Sequence, residues 1–262
     1  MAPRWIASTR TDKGRRLVMA DAAADFAHLA WAVADGIGDD WEPADAAALA
    51  AGTAPYAALS GGAACGIAAA RAALQDYYDG CPRGQEGDCV MVCAVPMAER
   101  HGGGFDVAWV GDCRAYVVQD GAARQVTQDR TEGERLRHYA DPYWATIAPS
   151  FDHIVTTSVL RDEPIDSARI VGPVQRLMLC TDGITKVVPA ADIARILTAD
   201  IRPRHATRAL VDAARSRRKG TDNIAVTVIE PRESTRPVAE LSPPRRPAAP
   251  PPHKPVPVDT LF

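Results

Sequence analysis

The sequence has no run of 18 uninterrupted apolar residues, which excludes a conventional membrane-spanning helix. It has no basic excess: the net charge is −3, so no global field argues for nucleic acid. The first 16 residues carry scattered charges and no apolar h-region, which argues against secretion. Six cysteines are present but no CxxC pair, so neither a zinc ribbon nor a thioredoxin-type site is indicated. Most of these cysteines sit in apolar runs, where a free thiol behaves as a small hydrophobe. The expectation is a reduced, cytoplasmic protein. Lysine is scarce, four against 26 arginines, and alanine is abundant; this bias fits a GC-rich genome better than any function.

What is present suits one ordinary domain with an appendage. The 262 residues are 47% hydrophobic and 24% charged, close to globular usage. A boundary is expected near Pro231. From there to Phe262, 10 of 32 residues are proline, too little apolar surface to offset ordering entropy. The division is therefore 1–230 as the folded domain and 231–262 as a disordered proline-rich tail. That tail is either passive or a ligand for a proline-recognising partner.

Within 1–230, strand and helix patterns alternate. Short runs at Leu29–Ala34, Cys89–Val95, Phe105–Val110, Arg114–Val118, Ala123–Thr127, Ile154–Val159, Leu177–Cys180 and Asn223–Ile229 predict strands. Cys89 and Cys93 would share one strand face. Ala57–Tyr78, Asp192–Leu197 and His205–Arg217 predict helices. Asp120-Gly121 marks a hairpin. Successive hairpins imply antiparallel sheet with helices covering its faces: α+β, with two sheets.

Four Asp-Gly pairs occur, at 35–36, 79–80, 120–121 and 182–183. Asp-Gly ordinarily means a turn. The first and last differ, because each ends a strongly apolar run, and Asp222 opens the final apolar strand. Carboxylates gathered at one sheet rim repel, which raises a pKa or calls for a cation. A hard divalent ion with oxygen ligands answers that need. Spacing alone does not force these strands together.

The ordered motifs add to this. Gly14-Arg15-Arg16 with Asp21, Ala32-Val33-Ala34-Asp35-Gly36-Ile37-Gly38, Val110-Gly111-Asp112-Cys113-Arg114-Ala115-Tyr116, Thr127-Gln128-Asp129, Leu179-Cys180-Thr181-Asp182-Gly183 and Asp222-Asn223-Ile224 follow one another along the chain. In this order they resemble the metal-dependent PPM-type (type 2C) protein serine/threonine phosphatases in their compact bacterial form, over roughly residues 8 to 230. The resemblance implies a four-layer α/β/β/α sandwich of two antiparallel sheets flanked by helices. It implies a centre of two Mn²⁺ or Mg²⁺ ions with a third, weaker position. Asp35 would bridge both ions, the Gly36 carbonyl would ligate one, and Asp182 and Asp222 would complete the other. Asp129, with Asp182, matches the third position. Asp21 would hold metal-bound waters, and Arg16 would grip the substrate phosphate. The implied partner is a phosphorylated protein, with no nucleic acid or membrane, and the chain is read as a monomer.

The chemistry is coherent by itself. Hydrolysis of a phosphoserine ester needs an in-line water and neutralisation of phosphoryl charge, which a two-metal site supplies. Arginine gives bidentate, charge-assisted bonds to phosphate that lysine does not copy. No cysteine nucleophile is required.

Several positions depart from the family pattern, Cys113 and Thr181 only mildly, each standing for serine. Ala20 stands where the family has glutamate, which should weaken the second metal. Asp39-Asp40 stand where bacterial members commonly have Gly-His; they are either compensating charges or solvated loop carboxylates. Arg130 replaces a histidine and is read as contacting phosphate or facing solvent. These departures support an alternative: a non-catalytic or weakly active regulatory module on the same fold. A third alternative, an unrelated metal-dependent hydrolase, would gather other carboxylates such as Asp25 with Asp45. The segment Thr131–Ser158 takes the place of the family's variable flap. Its Tyr143, Trp144 and Phe151 form either a substrate-contact surface or the flap's own small core.

Overall fold

A computed structural model describes residues 5–82, 84–217 and 222–232. The expected proline-rich tail lies outside the described residues, apart from Pro231 and Arg232, as do Gly220 and Thr221 beside Asp222.

Two five-stranded antiparallel sheets form the centre. In chain order the strands are β1 (Trp5–Asp12), β2 (Asp21–Phe26), β3 (Ala30–Gly36), β4 (Cys89–Pro96), β5 (Phe105–Val110), β6 (Arg114–Gln119), β7 (Ala122–Gln125), β8 (Asp166–Ile170), β9 (Arg176–Cys180) and β10 (Ile224–Pro231). One sheet has the order β1-β10-β9-β6-β7, the other β2-β3-β4-β5-β8. The helices are α1 (Trp41–Gly61), α2 (Ala63–Tyr77), α3 (Glu132–Arg137), α4 (Pro142–Ile147), α5 (Asp182–Thr185), α6 (Ala190–Thr198) and α7 (Pro203–Arg215).

Side-chain alternation explains the layers. Along β4, Cys89, Met91, Cys93 and Val95 pack in the cluster shared with α1 and α2. Val90, Val92 and Ala94 point the other way, into the core between the sheets. In β9, Leu177 and Leu179 enter that central core, while Met178 and Cys180 join α6 and α7. Period two thus sends each central strand into two cores, which is why these strands read as continuous apolar runs. Helix, sheet, sheet and helix stack as four layers, and the last strand runs one residue past the expected boundary, through Pro231.

The abundant alanine has a structural use. Ala46, Ala47, Ala50, Ala51, Ala54 and Ala58 of α1 are buried in one cluster with Ala30, Ala32 and Ala34 of β3. Small residues on both sides let helix and sheet approach closely. They also hide α1 from a periodicity reading: its buried face is alanine, and Pro43 and Pro55 lie within its span. The helix expected over 57–78 is in fact the end of α1 and all of α2. They part at Gly62, whose φ is +87°, and the next amide, Ala63, donates to Asp106 Oδ2 at 2.9 Å. Expected strand 154–159 is not a strand. Its amides and hydroxyls serve loop ends: Ser158 Oγ donates to Asp88 Oδ2 (2.5 Å), and Val159 N to the Cys89 carbonyl (2.9 Å). The edge strand is β8 instead, paired with β5. Strands β1 and β2 were not read from the sequence either; β1 is half-exposed at the sheet edge.

Among the described residues, no helix is long and apolar enough to cross a membrane.

Candidate active site

Each acidic residue sits where an element ends. β2 and β3 pair antiparallel with Asp21 opposite Asp35. Like charges in that position repel and need an answer. Asp182 starts α5 directly after β9, and Asp112 follows β5 through Gly111. Asp222 precedes β10, two residues before its first strand residue.

The carboxylates report on one another. Burial pushes Asp21 up to about 7, with the charges of Asp182 and Asp222 adding to it and the Thr181 hydroxyl opposing it. Asp35 is raised well above the usual carboxylate range, first by burial, then by Asp21, Asp182 and Asp112. Asp112 is pushed up to about 7 by burial and then by Asp182, while Lys186 pulls it down. Asp21, Asp35, Asp112 and Asp182 therefore form one acidic cluster. Asp112 lies inside a quoted motif, yet the sequence reading gave it no role.

A hydroxyl joins the two sheets beneath the cluster. Thr181 Oγ1, fully buried, donates to Asp21 Oδ2 at 2.7 Å and accepts from the Ala225 amide at 3.0 Å. Asn223 Oδ1 accepts from the Ala20 amide at 2.6 Å, and its Nδ2 donates to the Lys13 carbonyl at 2.8 Å. The Gly36 amide returns to the Ala20 carbonyl at 3.0 Å.

Both glycines of the strand-end Asp-Gly pairs are required by close approach, not by a turn. A Cβ on Gly36 would lie 2.5 Å from the Pro43 carbonyl oxygen of α1; one on Gly183 would lie 1.9 Å from the Asn223 carbonyl oxygen. Neither has a left-handed φ, whereas Gly80 and Gly121, at +80° and +76°, are the ordinary turn glycines.

Side-chain cations face the acids. Arg16 grips Asp222 with both ends of its fork, at 2.8 and 3.0 Å, and lies 3.5 Å from Asp39 Oδ2. Lys186 pairs with Asp182 and lies 3.5 Å from Asp112 Oδ2. Asp129 is held bidentately by Arg114, at 2.8 and 2.6 Å. Arg130 is half-exposed and bidentate to Asp166, both bonds 2.5 Å. Asp39 is half-exposed, with Oδ2 facing Arg16, and its Oδ1 is buried without a hydrogen-bond partner among the described residues. Ala20 is 3% exposed, so no carboxylate reaches the cluster from that position.

The donor set suits a hard divalent ion. It is made of carboxylates, two of them the mutually repelling pair Asp21 and Asp35, with an unpartnered carboxylate oxygen at Asp39. Yet among the described residues no three His, Cys, Asp or Glu side chains are gathered as a ready metal cage. Arg16 and Lys186 stand among the acids instead. Asp25 of the alternative hydrolase pairs locally with His28, in a bond 3.3 Å long.

A cleft of about 460 Å³ opens beside the cluster, with Asp112, Asp182, Lys186, Arg114, Arg137 and His153 on its walls. The flap supplies one wall through α3 and the segment after α4. Arg137 is clamped to Asp152 there at 2.7 and 2.6 Å. Of the flap aromatics, Phe151 is half-buried. Tyr143 and Trp144 are exposed, with ring centroids 5.6 Å apart, and no residue of α4 is buried. His153 on the cleft wall was not singled out by the sequence, because nothing in chain position links it to the aspartates.

The buried thiols are not poised as nucleophiles. All six cysteines are free; Cys89, Cys93, Cys113 and Cys180 are buried. Burial pushes Cys93 and Cys180 up to about 12.

One consequence is measurable in stability. Asp21 and Asp112 have folded values near 7 against an ordinary 3.8, so the folded state binds protons more tightly than the unfolded chain. That contribution is fully present below about pH 4 and is lost as pH rises through 7. In EDTA, the free energy of unfolding is expected to fall by on the order of a few kcal/mol between pH 5 and pH 8, and the melting temperature with it. Added Mn²⁺ should flatten the slope. A flat profile in EDTA would mean that the carboxylates do not interact as described.

No protein-family model matches the chain. Solved structures do match. A PPM Ser-Thr phosphatase, MsPP, from Mycobacterium smegmatis, solved with cacodylate, superposes with a TM-score of 0.73 and 24% identity, covering 88% of this chain and 100% of that one. The catalytic domain of the serine threonine protein phosphatase PstP, solved with two manganese ions, gives 0.73 at 20% identity, covering 86% and 97%. The fold of this chain is thus that of the PPM-type serine/threonine phosphatases, as the motifs implied. In sequence, a serine/threonine phosphatase of Listeria innocua is 28% identical over 131 residues, 47% of this chain and 50% of that relative. The chain is thus matched over about half the length of this curated relative.

Proposed function

We propose that this chain is a metal-dependent phosphatase that removes phosphate from phosphoserine or phosphothreonine of proteins. The observation that carries the reading is the acidic cluster at the strand ends, where burial and then neighbouring charge, Asp182 included, raise Asp21, Asp35 and Asp112, and where Asp112 and Asp182 line a cleft. The match to the Listeria phosphatase and the shared fold support it.

In this reading Asp35, the Gly36 carbonyl, Asp182 and Asp222 hold two Mn²⁺ or Mg²⁺ ions, and Asp21 orients water beside them. When bound, such ions lower the pKa of water and offset phosphoryl charge. The chain's own groups do the rest. Thr181 fixes the Asp21 carboxylate by donating to it. Arg16 is placed at the rim, two-fifths exposed, and its fork can exchange Asp222 for a phosphate. Asp129, read as the ligand of the third position, lines the cleft and is held bidentately by Arg114, much as Arg16 holds Asp222. The domain is read as residues 1–230, the tail as an appendage, and the compartment as the cytoplasm.

A second reading keeps one specific observation in its favour. Lysine and arginine already neutralise part of the cluster, and Ala20 contributes nothing to it. A binding module with weakened metal affinity would look the same.

Hydrolysis of p-nitrophenyl phosphate and of a phosphothreonine peptide separates the two. Turnover of both with Mn²⁺, abolished by EDTA and restored by fresh Mn²⁺, is the expected result. No turnover of either at saturating Mn²⁺ would establish the binding module instead.

A further inference from the structure

Lysine is rare in this chain, and the one at position 186 is set among acids. It follows the single turn of α5, and its amide donates to the Asp182 carbonyl at 2.8 Å. The i to i+4 spacing brings its stem back over Asp182, so that Nζ touches the Asp182 carboxylate and lies 3.5 Å from Asp112 Oδ2. Asp112 and Asp182 are both largely buried, with side chains 6% and 14% exposed. No arginine joins this pair among the ion pairs of the described residues. An ammonium is a compact point charge that can stand between two carboxylates, where a planar guanidinium would need room for its fork.

The cluster therefore divides into three parts with different answers to repulsion. Asp222 is answered by Arg16. Asp112 and Asp182 are answered by Lys186. Asp21 and Asp35, paired across two strands, have no side-chain cation in contact among the described residues, only the Thr181 hydroxyl and each other. A divalent ion has most to gain at the last pair. At the second it would meet a resident positive charge, and two cations that close repel strongly away from bulk water.

We propose that Lys186 is a built-in counter-ion that holds Asp112 beside Asp182 and keeps a further divalent ion from lodging between these two carboxylates, leaving metal to the Asp35 side of Asp182. This rests on reading the acidic cluster as a metal centre. Its direct consequence is ion number: the chain binds one divalent ion fewer than its carboxylates would otherwise support.

The experiment is a count. Mn²⁺ bound per chain is measured by calorimetric titration, and independently by elemental analysis after gel filtration in a fixed Mn²⁺ concentration. It is done on the full chain, on Lys186→Ala and on Lys186→Met, which keeps the apolar stem. Both variants are expected to bind one additional Mn²⁺. In EDTA they should melt lower than wild type, because two buried carboxylates lose their cation, and Mn²⁺ should restore the difference. If wild type and both variants bind the same nonzero number of ions, the counter-ion proposal is overturned and the metal centre stands. If none of the three binds Mn²⁺, both are overturned. If Lys186→Ala does not fold, Lys186→Met and its ion count decide.

Discussion

Asp182→Asn should lower turnover by roughly two to three orders of magnitude while leaving the protein folded. The size follows from how many groups feel this one charge. Asp182 raises Asp21, Asp35 and Asp112 and pairs with Lys186. Its amide isostere fills the same space but offers a cation no charge. The effect on stability should run the other way. Asp21, Asp35 and Asp112 each lose a repelling neighbour, so in EDTA near pH 7 the variant should melt at or above the wild-type temperature. A site held together against its own repulsion gains stability when function is removed. The checks are kcat on p-nitrophenyl phosphate with saturating Mn²⁺ and a melting curve in EDTA. Unchanged kcat would put the chemistry somewhere other than this cluster.

Gly183→Ala is the more damaging change although it removes no chemical group. A Cβ at 183 would sit 1.9 Å from the Asn223 carbonyl oxygen and 3.0 Å from Ile224 Cγ1. The obstacle is backbone, so no rotamer relieves it. Either α5 lifts away from β10 or the Asp222–Asn223 corner retreats. Both movements separate Asp182 from Asp222 and strain the Thr181 bonds to Asp21 and Ala225. Overpacking of this kind costs about 3 kcal/mol or more, and turnover should be lost with it. Urea unfolding of the variant measures the first; a midpoint equal to wild type would mean that the approach of α5 to β10 is loose.

The same pair of residues shows how far chain reading reaches. Asp182-Gly183 and Asp35-Gly36 could be singled out because each ends an apolar run, while Asp79-Gly80 and Asp120-Gly121 do not. The structure gives the reason: two of these glycines carry left-handed φ angles in turns, and the other two let backbones touch. Those are different physical demands made of one dipeptide, and only the context of neighbouring apolar residues hints at which applies. Strands β4, β5, β6, β9 and β10 were legible for a related reason. They are buried on both faces, so their sequences are almost uninterrupted apolar runs. Helix α1 was not legible. Its buried face is built from alanine, which contributes little to an amphipathic pattern, and its prolines look like breaks.

Arg130 and Asp129 mark a limit of another sort. As residues in a motif they invite roles at the phosphate or metal; what the motif does not show is that each is held in a bidentate pair with a partner far along the chain or across a hairpin, Asp166 and Arg114. Asp112 is the converse. It carried no role in the sequence reading and enters the cluster because β5 and β9 lie in different sheets whose ends meet.

What the chain determines by itself is therefore local: which segments are apolar on both faces, where they end, and that an aspartate with a glycine stands at two of those ends. Which charge meets which was decided only by packing. Electrostatic energy depends on distance through space, and residues as remote in sequence as Asp21 and Thr181, or Arg16 and Asp222, become neighbours only when two sheets close face to face. Lys186 owes its contact with Asp182 to the pitch of one helical turn, which spacing alone foretells, but its reach to Asp112 exists only because the sheets bring that second carboxylate to the same place.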